Sequence, residues 1–399
     1  MGRTILTASW VVPVETPPIR DGRVVVESGR VAWVGSGDDP AAPEGPVRDL
    51  GPGVLLPGLV NAHCHLELSH LRGAVPLGQG FVPWVEGVVA ARTDFSDDEA
   101  RAETVAAIAD LEARGTVAVG DVSNRLDHLD LLAESGLAAT VFLEVLAWDP
   151  SRVGDTEAWI DERLSAATER GRVKVRLAAH APHSVSPELL RRLVARGGVG
   201  SIHLAESPEE SRFLESGKGP WADFLARRGL GHVTFDAPGT SPVRYADEMG
   251  LLRPGVVAAH GVQVDGPDRG TLARRGVSVA LCPRSNRNLG VGKADVPALL
   301  AAGVRLCLGT DSLASVETLD VLDDAALLAR QFPALDPAEV VRMATAGGAE
   351  ALGLEDLGTL APGQRAVLAY VPADEVPEDP CSYLVSGVAH PRRVRVEVA

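Results

Sequence analysis

The stretch from Val54 to His70 reads VLLPGLVNAHCHLELSH. Its first half is almost wholly apolar; its second half holds His63, His65, Glu67 and His70. An apolar run without polar alternation is the pattern of a strand buried on both faces, as in parallel sheets. His63 and His65 stand at i and i+2, so on a strand their side chains share a face. The run over 54–63 therefore reads as one buried strand that ends in a pair of nitrogen donors.

Outward from this stretch the pattern recurs. Further apolar runs lie at 116–121 (TVAVGD), 139–147 (ATVFLEVLA), 173–180 (VKVRLAAH), 200–206 (GSIHLAE), 256–261 (VVAAHG), 277–283 (VSVALCP) and 304–311 (VRLCLGTD). Amphipathic segments separate them, such as DDEARAETVAAIADLEARG and SPELLRRLVARGG, each with an N-capping Asp or Ser near its start and a terminal glycine. Eight β–α units with near-continuous apolar strands predict an α/β fold, the closed (β/α)₈ barrel of TIM type, over residues 55–359. The flanks differ. TILTASWVV, GRVVVESGRVAWVGSG and VRDLGPGVLL before the barrel, and GTLAPGQRAVLAYVPAD and RVRVEVA after it, are short β-branched runs. ESGR is a plausible hairpin turn. Residues 1–54 and 360–399 are thus expected to be β-structure.

Composition narrows the partners. Among 399 residues, 38 Lys and Arg face 54 Asp and Glu, a net charge of −16. Phosphate backbones and anionic lipid surfaces are held by basic patches, and the arginine pairs here are short, so neither nucleic acid nor membrane is expected and a small molecule is. No run approaches the ~18 apolar residues of a membrane span. The first residues lack the pattern of a secretory leader. Four cysteines without C-x-x-C spacing read as free thiols of a reducing cytoplasm.

Barrel enzymes place their chemistry at the C-terminal ends of strands. Here those ends carry His63 and His65, His180, His203 with Glu206, His260 and Asp311. Three imidazoles (His63, His65, His203) and one carboxylate (Asp311) suit Zn²⁺, with Fe²⁺, Ni²⁺ or Mn²⁺ as alternatives. Glu206, three residues past His203, is placed to act as general acid and base, and His260 to hydrogen-bond a metal-activated water. Cys64, between the two histidines, faces the other way and reads as packing. His180 and His183 are candidates for lining a substrate pocket. Arg284 is a candidate for meeting an anionic substrate group, and Trp84 for stacking on a ring. His70, His128, His232 and His390 read as ordinary structural or surface histidines.

The motifs PGLVNAHCHLELS, HLAES, AAHGVQVD, LCPRSN and LGTDSLAS, in this order, resemble those of the amidohydrolase superfamily, and more narrowly of its cytosine deaminase/chlorohydrolase-like branch. The resemblance implies metal ligands His63, His65, His203 and Asp311. It implies Glu206 as proton shuttle to a ring nitrogen, His260 as the partner of the attacking water, and Asp311 as carrier of that water's proton to departing ammonia. It also implies that both termini together build a small β-sandwich, that His180 contacts substrate, and that a homodimer is a possible assembly. Binuclear members bridge two metals through a lysine at the end of strand four. Here that strand ends in His180 and its only lysine, Lys174, lies at its start, so a mononuclear site is expected.

Within the branch, HCHLELSHLRG and GQGFVPWVEGVV are similar to the aminodeoxyfutalosine deaminases of the alternative menaquinone pathway. The activity so implied is hydrolytic deamination of a 6-aminopurine nucleoside-like substrate, with Arg284 or Arg72 meeting a carboxylate and Glu67 as a pocket residue or one just behind it. Other deaminases of the branch (guanine, S-adenosylhomocysteine or methylthioadenosine), a triazine-type chlorohydrolase and a non-catalytic scaffold are the alternatives. H-x-E also opens the signature H-x-E…P-C-x-x-C of a different zinc deaminase fold. His65 and Glu67 match that opening, but Pro380-Cys381 is followed by Leu384 where a cysteine is required.

Overall fold

The computed structural model describes residues 2–394. Seven strands come from the two ends of the chain: β1 (Arg3–Val11), β2 (Ile19–Glu27), β3 (Arg30–Ser36), β4 (Val47–Asp49) and β5 (Gly53–Pro57), with β14 (Leu368–Pro372) and β15 (Arg392–Val394). They are hydrogen-bonded as one continuous mixed sheet in the order β15-β14-β5-β1-β2-β3, with β4 alongside β1. The ESGR turn joins β2 to β3 with Ser28 and Gly29 both at positive φ, 50° and 74°. That is the primed geometry matching strand twist. Leu6, Val24, Val26, Leu55, Leu368 and Tyr370 fill the apolar face. The strand expected over 393–399 begins in β15, and residues 395–399 lie outside the described residues.

The other eight strands are all parallel and follow one another in chain order: β6 (Leu59–Cys64), β7 (Thr116–Ser123), β8 (Ala138–Val145), β9 (Val173–Ala179), β10 (Ser201–Leu204), β11 (Val257–His260), β12 (Ser278–Leu281) and β13 (Arg305–Leu308). Each coincides with one of the apolar runs. Helices lie between them. The helix Asp97–Ala113 starts in a capping box of Ser96 and Glu99, and Pro187–Ala195 starts on Ser186 with proline at its first position. The ring closes where the chain leaves β13: Thr310 N and Asp311 N both donate to His63 O at 3.0 Å. Gly309 permits this approach, because a Cβ there would stand 2.7 Å from the His63 Cβ and 2.8 Å from its carbonyl oxygen. Among the described residues, no helix is long and apolar enough to cross a membrane.

One element differs from the sequence reading. The run 54–63 is two strands. β5 belongs to the terminal sheet, where it pairs with β1 and β14, and β6 opens the barrel. The break falls at Pro57-Gly58. Gly58 sits against the barrel wall so closely that a Cβ would come within 2.1 Å of the Val117 side chain. Apolar periodicity cannot reveal such a break, since both strands are buried.

Candidate active site

His63 and His65 leave the end of β6 and His203 comes from β10, so the barrel rim brings three imidazoles together. The His65 and His203 Nε2 atoms are 3.2 Å apart. Asp311 Oδ1 stands 3.5 Å from His65 Nε2 and 3.9 Å from His63 Nε2. All four side chains are buried. The tautomer of His203 is set by its own contact: its Nδ1 lies 3.0 Å from the His180 carbonyl oxygen, which can only accept. The lone pair is therefore on Nε2, facing His65. Neither ring nitrogen of His63 has a hydrogen-bond partner among the described residues. Burial, then the neighbouring imidazoles, hold His63 and His203 well below the ordinary histidine range, so they are neutral. Three buried imidazoles, with His63 and His203 neutral, beside a carboxylate form a donor set that fits a divalent cation. Asp311 Oδ2 is fixed by the hydroxyls of Ser285 (2.5 Å) and Ser315 (3.1 Å), which keeps Oδ1 toward the histidines.

Glu206 and His260 stand next to this cluster. Glu206 Oε1 is 3.6 Å from His260 Nε2. His260 Nδ1 donates to Asn286 Oδ1 at 2.9 Å, which fixes the ring. Burial, opposed by His260 and aided by the Asp311 charge, pushes the Glu206 carboxyl up to about 7. Burial lowers His260, but the Glu206 and Asp311 carboxylates and Asn286 together raise it above the usual histidine value. The backbone is strained at this rim: Ala205, His260 and Asp311 have φ of 52°, 74° and 64°. Non-glycine residues in that region cost energy and cluster at functional sites. Glu210 secures the first of them, accepting from Ala205 N (3.2 Å) and Glu206 N (2.7 Å).

These residues open into a cavity of about 950 Å³. His180 lines it, with Nδ1 held by Ser184 Oγ at 2.6 Å; that hydroxyl is itself 3.2 Å from Ala181 O, so the ring donates and its Nε2 is left as the acceptor. Trp84 lines it too, anchored by an indole hydrogen bond to Ala314 O at 3.2 Å. Val85, Val88, Val89, Trp159 and Leu230 form an apolar part of the wall, and Asp149, Arg152, Asp155 and Arg228 line the cavity as well.

Four candidates do not line this cavity. Arg284 is buried away from the cavity and its donors are used up. It bonds Asp324 through Nε (2.9 Å), Thr318 Oγ1 through Nη1 (2.8 Å), and the carbonyls of Thr318 and Asp320 through Nη2. It holds the helix Pro283–Leu289, which follows β12, to the helix Val321–Gln331 and has nothing left for a substrate anion. His183 packs edge-on against Trp221 at 4.4 Å, with Nδ1 3.6 Å from Glu210, and does not line the cavity. Glu67 also stays behind the wall: Oε1 takes Arg92 (2.6 Å), and Oε2 takes Ser123 Oγ (2.7 Å) and the backbone of Asn124 (2.9 Å) and Arg125 (3.2 Å). Arg72 bonds the Glu317 carbonyl and is exposed.

Several supporting residues are not evident from the sequence reading. Asn61 ties β6 to the β13 loop through Thr310 Oγ1 at 2.8 Å. Glu144, at the end of β8, lines the cavity 3.6 Å from His203 Nδ1. Asp121, at the end of β7, accepts from Leu66 N at 2.8 Å and so fixes the chain just past His65. Its other oxygen meets His128 Nε2 at 2.7 Å. Burial alone would lower His128, but the Asp121 charge and hydrogen bond override it and lift the imidazole to about 10. A pKa raised on folding stabilises the native state fully below the unfolded value of about 6.5, and that contribution is lost as pH rises toward 10. Melting temperature should therefore fall between pH 7 and 10 by more in the wild type than in His128→Gln, which keeps a donor without the charge. Equal slopes would show that the charged pair adds nothing to stability.

An amidohydrolase-family model matches residues 54–389. The chain is 35% identical over 351 residues to an aminodeoxyfutalosine deaminase of Deinococcus radiodurans, covering 83% of this chain and 81% of that one. It is 34% identical over 392 residues to a 5-methylthioadenosine/S-adenosylhomocysteine deaminase of Moorella thermoacetica, covering 93% and 86%. A crystal structure of an adenosine deaminase from Xanthomonas campestris with bound zinc superposes with a TM-score of 0.77 at 26% identity, over 97% of this chain and 89% of that one. The eight-stranded barrel, the buried histidines and aspartate at its rim and a match spanning most of the sequence agree: the chain belongs to the amidohydrolase family.

Proposed function

We propose that the protein deaminates a 6-aminopurine nucleoside by hydrolysis, with 6-amino-6-deoxyfutalosine as the first candidate substrate. As an amidohydrolase it is a hydrolytic enzyme of C–N bonds. The observation that carries the reading is the meeting of neutral imidazoles, Asp311 and a carboxyl near pH 7 at the floor of one cavity. His63, His65, His203 and Asp311 would hold a single divalent ion, zinc first among the candidates. Bound there, such an ion makes water acidic enough to act as a nucleophile at neutral pH. The protein's own residues do the rest. His260 orients the water. As oxygen bonds to the ring carbon bearing the amine, Asp311 takes the water's proton and Glu206 gives its proton to the adjacent ring nitrogen. The C–N bond then breaks: Asp311 returns its proton to the leaving ammonia, and the new hydroxyl gives its proton back to Glu206 as the carbonyl forms. Glu206 suits this role because a group poised near the working pH both donates and accepts.

The names of the relatives give three substrates that share a 6-aminopurine nucleoside and differ in the tail. Val85, Val88, Val89, Trp159 and Leu230 in the cavity lining suit an aromatic tail. Ammonia release from aminodeoxyfutalosine, methylthioadenosine, S-adenosylhomocysteine, adenosine and guanine by zinc-loaded protein tests the proposal. The highest kcat/KM is expected on aminodeoxyfutalosine. No release from any of the five would overturn the deaminase reading, and halide release from a chlorotriazine in its place would redirect it.

A further inference from the structure

Arg92 does not stand out in the sequence, yet it lines the same cavity. It follows directly on the helix Phe81–Ala91, whose Val85, Val88 and Val89 supply part of the apolar wall. Its Nη2 is gripped twice, by Glu67 Oε1 at 2.6 Å and by Asn124 Oδ1 at 3.1 Å. Both partners are themselves fixed. The Glu67 side chain is buried and takes one hydroxyl and two backbone N–H groups on its other oxygen. Asn124 donates to Glu144 Oε2 at 3.0 Å and to the Glu144 carbonyl at 3.1 Å. The Arg92 side chain is 37% exposed, and its Nε and Nη1 make no hydrogen bond within the described residues. A guanidinium anchored at one nitrogen, with its other donors unspent in a cavity that Val85, Val88 and Val89 also line, is preorganised for a planar anion.

We propose that Arg92 binds a carboxylate on the tail of the substrate, and that Glu67 is the residue that positions it. This rests on the deaminase reading, since the tail is defined by where the aminopurine sits. The assignment moves the anion-binding role from Arg284, whose donors are spent, to a cation that faces the cavity. It also accounts for the glutamate of H-x-H-x-E, which locks the first strand-end loop to the second and aims a guanidinium between them.

The experiment uses two probes: a 6-aminopurine nucleoside with a 5′-linked aryl carboxylate, and the matching carboxamide. The kcat/KM ratio of carboxylate over carboxamide is measured for the wild type, Arg92→Met, Arg92→Lys and Glu67→Gln. Calorimetry of both probes gives the affinity ratio without turnover. The ratio should fall by about 10–100-fold in Arg92→Met, the size expected for losing a charge-assisted bond, with partial recovery in Arg92→Lys. Glu67→Gln should lower the same ratio through KM, with kcat retained. Unchanged ratios in Arg92→Met and Arg92→Lys, by rate and by calorimetry, would overturn the proposal while leaving deamination standing. If the wild type binds both probes but releases no ammonia, the deaminase reading fails, and the calorimetric ratio still decides for or against Arg92.

Discussion

Glu206→Gln is expected to lower kcat/KM by about 10²–10⁴-fold, the usual cost of losing a general acid–base, while metal content and fold stay intact. Glutamine has nearly the same shape and keeps hydrogen-bond donors and acceptors, but it has no proton to transfer. The position is well supported: its backbone N–H is held by Glu210, and its neighbour His260 is fixed by Asn286. Replacement removes a carboxyl whose ionisation burial opposes, so melting temperature should not fall. The measurement is steady-state ammonia release beside zinc stoichiometry by elemental analysis. Turnover within tenfold of wild type at equal zinc content would exclude Glu206 from proton transfer.

Much of this fold is readable in the sequence, because a parallel barrel writes its strands as apolar runs. All eight runs are strands. The rim cluster is readable for a related reason: His63, His203, His260 and Asp311 are polar residues at the ends of apolar runs, where packing alone gives no cause for them. The same rule, applied evenly, names two more. Asp121 closes the run TVAVGD and Glu144 interrupts ATVFLEVLA. They fix the chain past His65 and line the cavity beside His203. What the sequence does not disclose is pairing across distance. Arg284 and Arg92 both lie near strand-end loops, and only the fold shows that one faces Asp324 and the other the cavity. The division of 54–63 into two strands is hidden likewise, since it depends on which sheet each half joins.

Arg284→Met is expected to destabilise the protein by about 3–5 kcal/mol, the cost of stranding one member of a buried ion pair. Asp324 is fully buried, accepts from both the backbone and the guanidinium of Arg284, and has no solvent to turn to. Its pKa is already raised by burial, which the arginine counteracts, so without the arginine it would fold protonated or not at all. The carbonyls of Thr318 and Asp320 lose a donor as well. Removing both charges together, in Arg284→Met with Asp324→Leu, should recover much of the loss, because two apolar groups of similar volume replace a pair whose attraction barely exceeded its desolvation. Denaturant unfolding of the wild type and both variants measures this. Selectivity separates the structural role from a binding one. If Arg284 met the substrate, the folded double variant would lose its preference for a carboxylate tail over the carboxamide. The proposed Arg92 site predicts that this preference survives, since the Arg92 guanidinium, held by Glu67, lines the cavity and that of Arg284 does not. A double variant that is stable yet indifferent to the carboxylate would return the anion site to Arg284.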